Sequence, residues 1–257
     1  MLRNKLTIAL LAGTALSLAG AAHAADVFGP PPVQAPYIPP PQVWSWTGIH
    51  FGLGVGGQFD FAESSAYVYD EATGYSGYTF ADLGGESAFA TIEFGADYQM
   101  QNVVLGVFAN YDWHPTDGTA YHYADAYGYY VDNEVTWGDS WAIGGRLGIL
   151  ATPRTLVYGL GGYAAKEITA ISATDIDGGS SLTAGGWQNG WVLGAGVETL
   201  LSQQLSLKGE YRYARYSGFS ADTDIVGTAA GLDYHSVDVS DTNSHTVRAV
   251  LSLRWGG

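Results

Sequence analysis

At 257 residues with no cysteine, the chain can form one large β-domain or two ordinary ones, and it excludes a disulfide scaffold, a thiolate metal site and an acylated cysteine. Its 36 glycines, 18 tyrosines and 8 tryptophans, with only 14% charged residues, favour an all-β body with many close backbone approaches. A net charge of −15 argues against nucleic acid as a partner.

Arg3 and Lys5 precede an apolar run to about Leu18, and Ala22-His23-Ala24 follows. This order reads as a secretory signal peptide, residues 1–24, cut after Ala24. Its loss removes two of the ten basic residues and no acidic one, which leaves eight against 25, or −17. Residues 25–45 form a Pro-rich periplasmic linker, since 29–41 hold seven of the nine prolines. No later stretch of about 20 apolar residues could cross a bilayer as a helix, so a membrane-spanning body must be a closed barrel.

From Trp46 the apolar alternation marks eight strands, at about 47–59, 87–100, 103–113, 135–150, 155–166, 189–200, 205–216 and 245–255. Gln101-Asn102, Ala151–Arg154 and Leu201–Gln204 are tight turns, whereas 60–86, 114–134, 169–186 and 217–243 are long. Short turns on one side and long loops on the other suit an eight-stranded antiparallel up-and-down transmembrane barrel over residues 46–257. A soluble sandwich has no reason to alternate its loop lengths in this way.

Charge placement supports the same choice. Ala90, Ile92, Phe94, Ala96 and Tyr98 share a face, with Glu93 and Asp97 opposite. Trp141, Ile143, Leu147 and Ile149 oppose Arg146, and Val247, Ala249, Leu251, Leu253 and Trp255 oppose Arg248 and Arg254. Trp191, Leu193, Ala195 and Val197 oppose Glu198, while Leu207, Gly209, Tyr211 and Tyr213 oppose Lys208, Glu210 and Arg212. A basic side chain facing lipid costs about 2–4 kcal/mol at the midplane. Glu93, Asp97, Arg146, Glu198, Lys208, Glu210, Arg212, Arg248 and Arg254, with Asp112 as a further member, therefore read as a lumen salt-bridge network. An eight-stranded lumen is just wide enough to be filled by side chains, so this network reads as a plug; a narrow gated pore through the same residues is the alternative. Trp44, Trp46, Tyr98, Tyr158 and Trp255 fall near periplasmic strand ends. Trp113, Trp137, Trp141, Trp187, Trp191, Tyr213 and Tyr216 fall towards the loops, completing two aromatic belts.

These residues carry a resemblance. GWVLGAGVE at 190–198 and LSLKGEYRY at 205–213, with Trp46-Thr47-Gly48, LVYGLGGYA at 156–164 and His245-Thr246-Val247-Arg248, resemble small outer-membrane β-barrel proteins of the alphaproteobacterial porin-like type. These are related in architecture to the OmpA transmembrane domain and opacity-type proteins. The resemblance implies a cell outer membrane location among lipid and lipopolysaccharide, and barrel-assembly machinery that reads a C-terminal strand ending at Trp255. Gly256 and Gly257 follow that aromatic, a departure from the family's usual ending. Members are surface-exposed; some are linked to envelope integrity, adhesion or haemin.

Three long loops are acidic. Asp60, Glu63, Asp70, Glu71, Asp82 and Glu86 lie in the first, Asp117, Asp125, Asp132 and Glu134 in the second, and Asp222, Asp224, Asp233, Asp238 and Asp241 in the last. They suit divalent cations bridging to an anionic surface, although no spaced calcium-loop motif is present and no metal site is assigned. AYHYADAYGYYV at 120–131 places His122 between Tyr121 and Tyr123, a candidate haemin site, because His and Tyr can ligate haem iron; aromatic loop packing is the plainer account. His50, His114, His122, His235 and His245 stand in no nucleophile motif, and no enzyme activity is expected. The expected role is structural: envelope integrity, with the acidic, aromatic loops as contact surface. A small porin or a haemin-binding surface protein is the alternative.

Overall fold

The computed structural model describes residues 44–70, 74–115, 118–126, 129–175, 180–224 and 232–256. Eleven strands lie in one antiparallel sheet. They are β1 (Gly48–Asp70), β2 (Tyr75–Met100), β3 (Val103–Trp113), β4 (Gly118–Ala126), β5 (Tyr129–Thr152), β6 (Thr155–Asp175), β7 (Ser180–Leu200), β8 (Leu205–Tyr216), β9 (Phe219–Asp224), β10 (Leu232–Val239) and β11 (Thr242–Trp255). The ring of eight is β1-β2-β3-β5-β6-β7-β8-β11, closed by β11 on β1 from Ile49↔Trp255 to Phe61↔Asn243. Closure leaves no edge exposed to lipid.

Within the ring the side chains alternate without exception at the named positions. Ile49, Leu53, Val55, Phe94, Leu105, Val107, Ile143, Leu147, Leu193, Val247 and Leu251 are exposed, while Glu93, Asp97, Arg146, Lys208, Arg212 and Arg248 are buried. Exposed apolar surface on this scale is unfavourable in water but is solvated by acyl chains. The apolar residues lie outside and the charges inside because the solvent on the outer face is hydrocarbon.

The long connections differ from expectation: much of each is strand. The β1–β2 pairing continues unbroken to Asp70↔Tyr75, and β6–β7 continues to Thr174↔Ser180. A spanning strand needs only about 9–11 residues, so β1 with 23 and β2 with 26 project well past the bilayer. β4 pairs with the upper part of β5, and β9–β10 forms a hairpin laid against β1. Glycine, serine and acidic residues mark turns in isolation, but here a neighbouring strand supplies each backbone with partners. That context outweighs intrinsic preference.

Four of the expected belt aromatics are instead buried inside. Trp46 is fully buried and seals the periplasmic mouth beside Val104, Leu156 and Leu200. Its backbone N–H donates to Gln99 Oε1 at 2.9 Å, and Arg254 lies 4.9 Å over its ring. Trp46 precedes β1, so strand parity does not govern it. The chain turns into the strand at Gly48, with φ of 144°, where any Cβ would strike the Trp255 carbonyl. Tyr158 points inward and donates its hydroxyl to Glu210 at 2.8 Å. Tyr216 is buried as well. Trp137 is carried inward by a bulge between Trp137 and Ser140, which shifts the facing of the residues around it. Tyr98, Trp113, Trp187, Trp191 and Trp255 are exposed at the two rims, as interfacial aromatics should be.

Candidate functional site

The lumen holds three tiers of charge between apolar ends. The lowest is a four-membered ring of alternating sign. Arg146 binds Asp97 through Nε at 2.8 Å and Nη2 at 2.5 Å, and Glu198 through Nη1 at 2.8 Å. Arg254 donates to the same two carboxylates, at 3.0 Å to Glu198 and 2.6 Å to Asp97, and to the Trp46 carbonyl at 2.9 Å. Ser206 supplies a further donor to Glu198 at 2.6 Å. Arg146 thus grips Asp97 with two parallel bonds, the bidentate geometry that makes arginine–carboxylate pairs strong, and both guanidinium groups bridge Asp97 and Glu198.

In the middle tier Glu93 faces Lys208, Arg212 and Arg248 together, with Lys208 closest and Arg248 at 3.2 Å. Glu210 receives Arg212 at 2.8 Å and lies 3.3 Å from Arg248 Nε. Asn110 and Asp112 complete the tier, accepting from Arg212 at 2.7 Å and Arg248 at 3.3 Å. His50 lies between tiers, with Nδ1 3.3 Å from Asp97 and Nε2 3.5 Å from Glu93.

The upper tier was not legible as such in the sequence. Lys166 binds Asp60 at 2.8 Å, and Gln58 and Ser244 also donate to Asp60. Asp60, assigned by sequence to an acidic loop, is therefore a lumen residue. Both follow from parity: Lys166 continues the inward face of Ala164, and Asp60 that of Gln58. Six buried cations (Arg146, Lys166, Lys208, Arg212, Arg248, Arg254) face six buried anions (Asp60, Glu93, Asp97, Asp112, Glu198, Glu210). Above them Trp137, Val135, Ile168 and Leu83 form an apolar cap.

Glycine makes room for this packing. A Cβ on Gly106 would overlap the Asp97 carboxylate and press on Arg146 Cγ. One on Gly196 would meet the Tyr158 hydroxyl at 2.6 Å and Glu210 Cγ at 2.8 Å. The inward face combines glycine with charge because each large ionic side chain needs an empty position across the strand.

The extracellular side has a different balance. Of the eight basic residues beyond Ala24, six are in the lumen, Arg154 caps a periplasmic turn, and Arg215 alone lies at the extracellular rim, paired with Asp241 at 2.9 Å. Tyr121, His122 and Tyr123 fall in β4, with His122 opposite Asn133, but their side chains lie outside the described residues. Glu71 and Asp117 lie outside the described residues altogether. Among the described residues no three His, Asp or Glu side chains converge to hold a metal ion.

Residues 9–253 match the family model for the outer membrane protein beta-barrel domain. The 31 kDa outer-membrane immunogenic protein of Brucella melitensis is 30% identical over 255 residues, covering 96% of this chain and 98% of that one. The 22 kDa outer membrane protein of Rhizobium leguminosarum bv. viciae is 27% identical over 162 residues, 60% of this chain and 72% of that one. The structure of OprG from Pseudomonas aeruginosa, at 12% identity, shares the fold with a TM-score of 0.50 over 83% of this chain and 99% of that one. An apolar outer wall, a closed ring and these likenesses agree: the chain is an outer-membrane protein and belongs to the outer membrane protein beta-barrel domain family.

Proposed function

We propose that this protein is a non-conducting structural barrel that supports envelope integrity and makes surface contacts through its acidic, aromatic extracellular hairpins. The observation that carries this reading is the lumen: six cations against six anions, with Trp46 below and Trp137 above. Ions entering such a lumen would have to break paired charges in a low-dielectric space. In this reading residues 1–24 are the cleaved leader and 25–45 a periplasmic linker. Barrel-assembly machinery takes the strand ending at Trp255, and lipopolysaccharide surrounds the outer rim, bridged to its carboxylates by divalent cations. No catalytic step is assigned. Deleting the gene and restoring it in trans tests the reading. Deletion should sensitise cells to detergent and leave small-solute uptake unchanged; reduced uptake with unchanged detergent resistance would indicate a porin.

A further inference from the structure

The extracellular projection carries an aromatic face that a plugged barrel does not use. Above the ring β2, β1, β10 and β9 lie side by side in one sheet. Ala62, Ser64, Leu83 and Val239 point inward and are buried, so Glu63, Phe80, Asp82 and Asp238, of opposite parity, point outward and are exposed. The register sets this outward face in three rows: Asp82 beside Glu63, Phe80 beside Ser65 and Asp238, and Tyr78 beside Tyr67 and Ser236. The Glu63 N–H donates to Ser240 Oγ and the Ser240 N–H to the Glu63 carbonyl, each at 2.8 Å, which pins the β9–β10 hairpin to the first row.

Two features set the face apart, one from the lipid-facing wall and one from an ordinary hairpin. Phe80 and Tyr78 are 77% and 67% exposed, with rings 11° from parallel and 6.2 Å apart, and Tyr67 packs on Tyr78 at 4.6 Å. The apolar outer run of β1 ends at Phe61, and the charged row of Glu63 and Asp82 separates it from these rings. Phe80 lies opposite Ser65, about 13 Å along β1 from Phe61, so acyl chains do not cover it. Contiguous aromatic surface left outside the bilayer marks an interaction site. Beside it, Glu63 and Asp82 stand directly opposite each other, where like charges repel. Among the described residues no Lys or Arg is within ion-pair distance of Glu63, Asp82 or Asp238, and the rim's Arg215 is held by Asp241.

We propose that this face docks an extended, arginine-bearing segment of a basic polypeptide, an inference that rests on the hairpins being the protein's contact surface. Ring faces and carboxylates attract the same kind of group, a cation. A guanidinium satisfies both at once. Its flat face stacks on Phe80 or Tyr78 while its edge donates in pairs to a carboxylate of Glu63, Asp82 or Asp238; a lysine ammonium is a point charge without that planar fork. Successive rows are about 6.8 Å apart, the repeat of alternate side chains on an extended chain, so arginines at every second position meet successive rows. Anionic partners are repelled by the same three carboxylates.

The full chain, refolded in a polyoxyethylene detergent, supplies the test. A fluorescein-labelled peptide of alternating arginine and glycine is titrated by anisotropy at about 0.15 M salt with magnesium present, beside lysine–glycine and glutamate–glycine counterparts. The arginine peptide should saturate and bind more tightly than the lysine one, and the glutamate peptide should not bind. Tyr78→Ser with Phe80→Ser keeps the net charge and should weaken binding about tenfold. Glu63→Gln should weaken it about threefold, while Glu167→Gln, the same charge change on β6 across the ring, should leave it unchanged. Heat-modified gel mobility shows that each variant folds. The proposal is overturned if the lysine peptide binds as tightly as the arginine peptide, if the Tyr78/Phe80 variant binds like the parent, if Glu167→Gln loses as much as Glu63→Gln, or if the neutral oligosaccharide maltoheptaose displaces the peptide. Failure of peptide binding in a barrel that does not conduct strikes this proposal alone; conductance steps with peptide binding intact strike the non-conducting reading alone.

Discussion

Glu198 accepts hydrogen bonds from Arg146, Arg254 and Ser206, all inside the barrel. Replacing it with Leu leaves two buried guanidinium groups sharing the single carboxylate of Asp97, and breaking a buried pair costs about 3–5 kcal/mol. Glu198→Leu should therefore lower the temperature of heat-modified gel mobility well below that of the parent. An unchanged temperature would mean that the charged face is not buried. The Asp60–Lys166 pair offers a sharper form of the test. Lys166→Met leaves Asp60 buried with only Gln58 and Ser244 as donors. Adding Asp60→Leu removes the orphaned charge, so the double variant should be more heat-stable than Lys166→Met alone. Sequence parity located most of these residues, because each sits mid-strand where inward and outward positions alternate strictly. It missed Asp60 and Lys166 because they lie at the ends of the expected strands, where acidic and polar composition resembles loop. It misplaced Trp46 because the residues before β1 cross the mouth of the barrel and obey no strand period, and Trp137 because a bulge resets the count.

Among the elements, the extracellular hairpins and the spanning ring are separable in energetic terms. The charge tiers sit below the extended ends of β1 and β2, whose upper pairing involves aromatic contacts such as Tyr67 on Tyr78, 4.6 Å apart. Shortening that hairpin by replacing 66–79 with a two-residue turn should preserve heat-modifiable mobility, whereas loss of the folded band would show that the projections help hold the ring. The β9–β10 hairpin is anchored at its base by Asp241, which accepts from the Gly218 N–H at 2.9 Å and from Arg215. The Gly218 donor first, and Arg215 after it, hold the Asp241 carboxyl below its ordinary value of 3.8. A depressed pKa stabilises the folded form above the unfolded value and loses that contribution as pH falls through the folded one. The Gly218 amide resonance should consequently titrate with a midpoint below 3.8, and a midpoint above it would contradict the contact. The expectation of long loops missed this architecture because Gly, Ser and Asp in these segments signal turns locally. The strands they form are imposed by neighbours distant in sequence.

Across the whole molecule, two charge distributions with different purposes share one chain. Among the described residues the lumen pairs six cations with six anions, and Arg215 is the one Lys or Arg on the extracellular side. A chain read only by its net charge would look uniformly acidic. The division becomes visible once alternation assigns each strand residue to a face, and this much could be read before any coordinates. The inward position of Trp137 could not, since it depends on the bulge in β5. A non-conducting role requires that the barrel be closed by its own side chains. Single-channel recording of the refolded protein in a planar lipid bilayer measures this directly. A plugged lumen gives a flat current baseline with no steps of uniform size. Stable, repeated steps of one conductance would show an open path through the lumen and contradict it.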